Sequence, residues 1–177
     1  MRNKIFPLVA LLALLYFSAC LNHNPNINQE GEDELKTLEM TTPINRDEIV
    51  YSDTMYVPIY SDIYTDASNL RNLLAATLSI RNTSFTDSLY ISIIDYYNTE
   101  GDLVRKYIDG PISLPPMASI NYVVEREDDT GGSGANFIVA LQAKSKNIKP
   151  LIQAIMIGQN GNKGFSFTSD AYSLKNN

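Results

Sequence analysis

The chain has 177 residues, 19% of them charged, and a formal net charge of −6. An acidic chain without a basic stripe repels phosphate backbones, which argues against nucleic acid as a partner. A single cysteine excludes an intrachain disulfide, and a single histidine with no tryptophan thins the inventory for nucleophilic chemistry and sugar stacking.

In chain order, Arg2 and Lys4 form a basic start, Ile5 to Phe17 is an apolar run, and Ser18 and Ala19 stand before Cys20. Charge, grease and small residues in that order read as an export signal over residues 1–19. The run is too short for a membrane-spanning helix, which needs roughly 20 apolar residues. The FSAC tetrapeptide ending at Cys20 resembles the lipobox of bacterial lipoproteins, which implies acylation of Cys20 and a lipid anchor in the membrane. Loss of Arg2 and Lys4 takes the net charge from −6 to −8. Leu21 stands where an aspartate often signals retention in the inner membrane. The expected address is therefore the cell envelope, at the outer membrane facing the periplasm if the cell has two membranes.

Residues 20–52 read as a tether, rich in Asn and then acidic, without a sustained apolar period. From Asp53 the pattern changes to short β-branched and aromatic runs punctuated by turns, and residues 53–172 read as one β domain with a tail at 173–177. Met55 to Tyr60 alternates, and Pro58 marks it as an edge strand or one that switches sheets. Leu74, Ala76, Leu78 and Ile80 share one strand face, and Asn82-Thr83-Ser84 ends that strand. Leu89 to Tyr97 is apolar on both faces and reads as central. Asn98 to Gly101 makes a hairpin turn into Leu103 to Ile108. Leu114-Pro115-Pro116 is a rigid corner, and Ile120, Tyr122 and Val124 alternate beyond it. Phe137, Val139 and Leu141 form another central strand, followed by Leu151 to Gly158, an Asn160-Gly161 turn and a short strand at Phe165 to Phe167. Within the domain the best place for a helical turn is Asp62 to Arg71, and Glu34 to Met40 could form a turn or two in the tether. The expected fold is all-β, an immunoglobulin-like antiparallel sandwich of about seven or eight strands, with a small barrel as the alternative.

Several of these segments carry a likeness: MYVPIY (Met55 to Tyr60), ATLSIRNTS (Ala76 to Ser84), DYYNTEG (Asp95 to Gly101), LPPM (Leu114 to Met117), GGSGANFIV (Gly131 to Val139) and AIMI (Ala154 to Ile157). Together they resemble the bacterial lipoprotein family catalogued as domain of unknown function 3124, over Tyr56 to Tyr172. Asp62 departs from that pattern where a histidine is frequent, and Leu141 where an aromatic is frequent. The resemblance implies a fold and a compartment, and no activity.

His23, the sole histidine, falls in the tether. This removes Ser-His-Asp and Cys-His mechanisms and zinc sites built on His and Cys from the expectations for the domain. No catalytic residue and no cofactor are expected. The loop Glu125 to Asn136 concentrates acids and glycines. Its candidate ligand residues are Asp128, Asp129, Gly131, Gly132, Ser133 and Asn136. Backbone N–H groups could form an anion nest there, while the neighbouring carboxylates favour Ca²⁺ instead; the structural alternative is a solvated hairpin loop. Tyr56, Tyr60, Tyr64, Tyr90, Tyr96, Tyr97 and Tyr107 could give an aromatic strip for a glycan or peptide, or serve the core. Arg81 and Asp95, on successive strands, are candidates for a structural ion pair. The expectation is a non-enzymatic, lipid-anchored envelope protein. Its sandwich would bind a protein, a glycan or another envelope component, with partner addition at an exposed edge such as Met55 to Tyr60 as the physical route. The alternative is a Ca²⁺ or small-ligand binder using loop 125–136.

Overall fold

A computed structural model describes residues 38–42, 44–65 and 71–175. The signal, Cys20, His23 and most of the tether lie outside the described residues. Eleven strands are present among them: β1 (Tyr51–Pro58), β2 (Asp62–Tyr64), β3 (Arg71–Arg81), β4 (Leu89–Tyr97), β5 (Leu103–Lys106), β6 (Ile112–Leu114), β7 (Ser119–Val124), β8 (Asn136–Ala143), β9 (Leu151–Asn160), β10 (Lys163–Asp170) and β11 (Tyr172–Ser173). They form two antiparallel sheets. Sheet one has the order β11-β1-β8-β4-β5, with β6 also on β4; sheet two has the order β10-β9-β3-β2, with β7 also on β3. The fold is the expected all-β sandwich, with no closed barrel.

The core follows from period-two alternation. Leu74, Ala76, Leu78 and Ile80 of β3 are buried as expected, facing in with Ile152, Ala154 and Met156 of β9 and Ile120, Tyr122 and Val124 of β7. From sheet one come Val57 of β1, Phe137, Val139 and Leu141 of β8, and Leu89, Ile91, Ile94 and Tyr96 of β4. The β4 set is spaced two, three, two. Its register shifts between Ile91 and Ile93 against β8, so a β-bulge inserts one residue and keeps both halves of the strand facing the core. That bulge explains the apolar run Ile93-Ile94, which sequence reading takes for a strand buried on both faces. Ile93 is in fact exposed. Both β4 and β8 are paired on both sides, as expected of central strands.

Several expectations need correction. The strand number exceeds seven or eight because β2, β6 and β11 have only three, three and two residues, too few to show alternation. Asp62 to Tyr64 is a strand paired with Arg71 to Leu73, not the start of a helical turn; residues 66–70 lie outside the described residues. The strand expected at Phe165 to Phe167 runs from Lys163 to Asp170. Regular structure is also present before Asp53, in a 3₁₀ turn at Arg46–Glu48 capped by the Asn45 side chain. Arg81 and Asp95 do not pair. They sit in different sheets, where the Arg81 Nε donates to Ser79 Oγ and Asp95 lies opposite Lys106. Finally, loop 125–135 is no hairpin: it carries the chain from β7 in one sheet to β8 in the other.

β1 is nearly an edge. β8 pairs with it from Tyr51 to Pro58, but on its outer side β11 alone pairs among the described residues, at Met55 and Tyr56. The protein's own C-terminal segment therefore occupies the middle of the edge on which partner addition was expected.

Candidate functional site

Three surfaces can be weighed: the glycine-rich loop, the outer face of sheet one, and the cluster of loops at the opposite end of β4.

The glycine-rich loop is built into the fold. The Gly131 carbonyl accepts hydrogen bonds from the Thr99 backbone N–H and the Thr99 hydroxyl, both at 2.9 Å. The Gly132 carbonyl accepts from the Ser61 N–H at 3.1 Å and the Ser61 hydroxyl at 3.0 Å. The Gly134 N–H returns to Thr99 Oγ1 at 2.9 Å. The loop thus clasps the β4–β5 turn and the end of β1 together. Tyr96, fully buried, lies beneath it, and a Cβ on Gly131 would stand 1.8 Å from the tyrosine oxygen. At Gly132 the φ of +73° is one that L-side chains rarely adopt. These two glycines are therefore required by close approach and by backbone hand.

The acids of the loop are already engaged or dispersed. The Asp128 carboxylate accepts from Arg105 at 2.9 Å and from the Thr130 N–H and hydroxyl. Burial resists its ionisation, but the Thr130 donors and the Arg105 guanidinium outweigh it and hold the pKa below the usual carboxylate range. Asp129 is exposed, and its charge acts on Arg71. Ser133 is half-buried, and Asn136 is buried at the start of β8, opposite Pro58 and Tyr97. Among the described residues no three His, Cys, Asp or Glu side chains converge as a metal cage.

Beside the loop, Asp62 is 1% exposed and pairs through one oxygen with Arg71; its other oxygen has no hydrogen-bond partner among the described residues. The buried hydroxyls of Tyr96 and Tyr122 also find no hydrogen-bond partner among the described residues. Burial pushes both phenols up, and for Tyr96 the nearby Ser61 hydroxyl opposes the shift.

The tyrosines divide. Tyr96 and Tyr122 belong to the core, and Tyr107 packs edge-on to Tyr122 at 5.0 Å. Tyr60 lies against Phe167 of β10, and Tyr64 is exposed on β2. Tyr56, Tyr90 and Tyr97, however, share the outer face of sheet one. Strand register aligns Tyr172, Tyr56, Ile138 and Asp95 in one row and Pro58, Asn136, Tyr97 and Leu103 in the next. Below them the bulge opens a shallow depression of about 270 Å³, lined by Thr54, Ser92, Ala140, Gln142 and Leu174 among others. Sequence reading missed Tyr172, because a two-residue strand gives no periodic signal.

At the far end of β4 three loops meet. The Asn82 side chain, 2% exposed, donates to the carbonyls of Asp87, Leu114 and Pro115 and accepts from the Ser84 N–H. The Met117 N–H donates to the Ser84 carbonyl, and the Thr83 hydroxyl to the Lys149 carbonyl. On this base stands Phe85, 82% exposed, with Met117 beside it in the left-handed region at φ 60°. A polar run holding one aromatic residue, Ser84-Phe85-Thr86-Asp87, is the sequence signal that could have found it.

The geometry therefore defines a class: a two-layer antiparallel sandwich with closed, hydrogen-bonded loops and one aromatic sheet face. Residues 52–174 match the family described as "Protein of unknown function (DUF3124)", and the chain belongs to that family. No curated protein matches the chain significantly. Among solved structures it is similar to one described as "Crystal Structure of Thermotoga maritima 1070", with 15% identity over 68% of this chain and 92% of that one and a TM-score of 0.39.

Proposed function

We propose that the chain is a lipid-anchored protein of the bacterial cell envelope, acylated at Cys20, whose sandwich is a non-catalytic binding module for a protein or another envelope component. The observation that carries the binding role is the outer face of sheet one. Tyr56, Tyr90, Tyr97 and Tyr172 lie there on hydrogen-bonded strands, with Ile93 and Ile138 between them. Tyrosine offers large contact area at low entropic cost and a hydroxyl for polar contacts, which suits a protein or glycan surface. The non-catalytic reading rests on chemistry: the only imidazole and the only thiol precede the domain, at His23 and Cys20. The envelope address rests on the charge, apolar and small-residue order ending at Cys20.

The test is site-specific photo-crosslinking in intact cells. A photoreactive residue at Tyr97 or Tyr172 should give a discrete adduct that one at Lys163, the first residue of β10, does not. Equal absence of adducts from all three positions removes the binding face. Separately, intact mass of the membrane-extracted protein should show Cys20 as an acylated first residue.

A further inference from the structure

We infer that the loop cluster formed by residues 82–88, 115–118 and 144–150 docks onto an anionic lipid surface, so that Phe85 and Met117 enter the headgroup boundary. The inference rests on the lipid-anchor reading given above and adds an orientation to it.

Four observations converge. Phe85 is the most exposed large apolar residue of the described chain, at 82%, and Met117 is 59% exposed. Neither is a loose tip. Ser84 Oγ accepts from the Asp87 N–H at 2.9 Å and its hydroxyl donates to Asp87, while buried Asn82 pins both loops from below. Holding Met117 at φ 60° costs backbone strain that a purely structural turn would relieve with glycine. A rigid apolar wedge on a polar base is what interfacial insertion needs.

Second, the surrounding charge is of the right sign. Lys146 and Lys149 are exposed on the adjoining loop, without an ion-pair partner among the described residues. Lys144 is held by Glu48, and Arg46 lies on the neighbouring turn with Asp47. The one acid in loop 82–88, Asp87, is tied down by the Ser84 and Thr86 hydroxyls. Third, the opposite end is acidic. Glu100, Asp102, Glu127, Asp128 and Asp129, with Arg126 among them, lie in the two loops at the other end of the nine-residue β4. An anionic bilayer repels that end and attracts the lysines, at roughly 1 kcal/mol per basic residue near the surface.

Fourth, the chain reaches the domain close by. Glu39 bridges Ile112 and the Met40 N–H donates to the Pro111 carbonyl, beside the strand that leads into turn 115–118. Residues 44–50 then pass to Ala143, where the Val50 N–H donates to its carbonyl. The described chain thus enters the domain at the end that carries the wedge.

The test uses the full chain, which has no tryptophan of its own. Phe85→Trp supplies a single indole reporter, and Asn162→Trp on the β9–β10 turn supplies a reference. Each is reconstituted into vesicles of phosphatidylcholine alone or with phosphatidylglycerol, with and without brominated acyl chains. The expected result is a blue shift and at least a several-fold stronger quenching for Phe85→Trp in the anionic brominated vesicles. It should fall back toward the reference when Lys146 and Lys149 are replaced by Glu. If membrane-bound protein leaves the Phe85→Trp emission as unquenched as the reference, the docking is wrong and the anchor stands. If Cys20 proves unacylated yet the indole still enters anionic vesicles, the docking stands and the anchor fails. Burial of the indole by an added envelope protein but not by lipid assigns the tip to a protein partner and overturns the inference.

Discussion

The two ends of β4 are built alike and present opposite surfaces. At one end, Thr99, Ser61 and the carbonyls of Gly131 and Gly132 bond to one another, and the loop is spent on closing the sandwich over Tyr96. At the other, Asn82 joins two loop segments through a single buried amide, yet the side chain displayed on top is an exposed phenylalanine. The comparison teaches that an unusual sequence is not the same as a free surface. Glycines concentrate where backbones must pass closely, so a glycine-rich run marks tight packing as readily as a ligand cradle. The functional candidate is the end whose polar groups hold an apolar residue out in water without needing it there.

The largest expected effect is at the Asn82 end. Asn82→Ala leaves three carbonyls and the Ser84 N–H without their buried partner, and should destabilise the domain by about 4 kcal/mol in denaturant unfolding. A loss below about 1 kcal/mol would mean that the amide does not hold the loops.

At the glycine end, Gly131→Ala should cost about 3 kcal/mol through the clash with the Tyr96 oxygen. Tyr96→Phe by itself should be close to neutral, since that hydroxyl finds no hydrogen-bond partner among the described residues, and it should recover part of the loss in the double variant. If the two substitutions are strictly additive, the loop does not press on the tyrosine.

A smaller effect separates structure from ligand binding in the same loop. The folded-state pKa of Asp128 is depressed, so its contribution is present above the unfolded value near 3.9 and fades as pH falls through the folded one. Asp128→Asn should therefore lose about 1 kcal/mol or less at neutral pH, and that deficit should shrink as pH falls below the unfolded value and through the folded one. A Ca²⁺ titration that stabilised the wild type but not Asp128→Asn would reverse this reading, with the cation replacing Arg105.

Smallest of all, Phe85→Ser should change stability by no more than about 0.5 kcal/mol, because the ring is in solvent. A marked destabilisation would show that the ring is part of the fold and not a display.

The sequence carried the sandwich because burial is periodic where strands are long. Leu74 to Ile80, Ile120 to Val124 and Phe137 to Leu141 alternate without interruption, and each proved to face the core. Legibility failed where local pattern and long-range pairing part company. The bulge at Ile91 to Ile93 shifts the phase of β4, and strands of two or three residues have no phase at all. Register was likewise invisible: nothing local separates Arg81 from Asp95 into different sheets, or brings Tyr172 beside Tyr56. Loop 125–136 stood out by composition, but its partners Thr99 and Ser61 lie more than thirty and about seventy residues away. Phe85 was readable as an aromatic in a polar turn, though its exposure came only with the coordinates.

Hydrogen–deuterium exchange on the full chain, bound to anionic vesicles and in neutral detergent, sets the two ends against each other in one measurement. The account predicts that vesicles slow exchange in residues 83–87, 115–118 and 144–149 and leave residues 127–134 unchanged. Slowing confined to residues 127–134, with the Phe85 loop exchanging as fast on vesicles as in detergent, would contradict it.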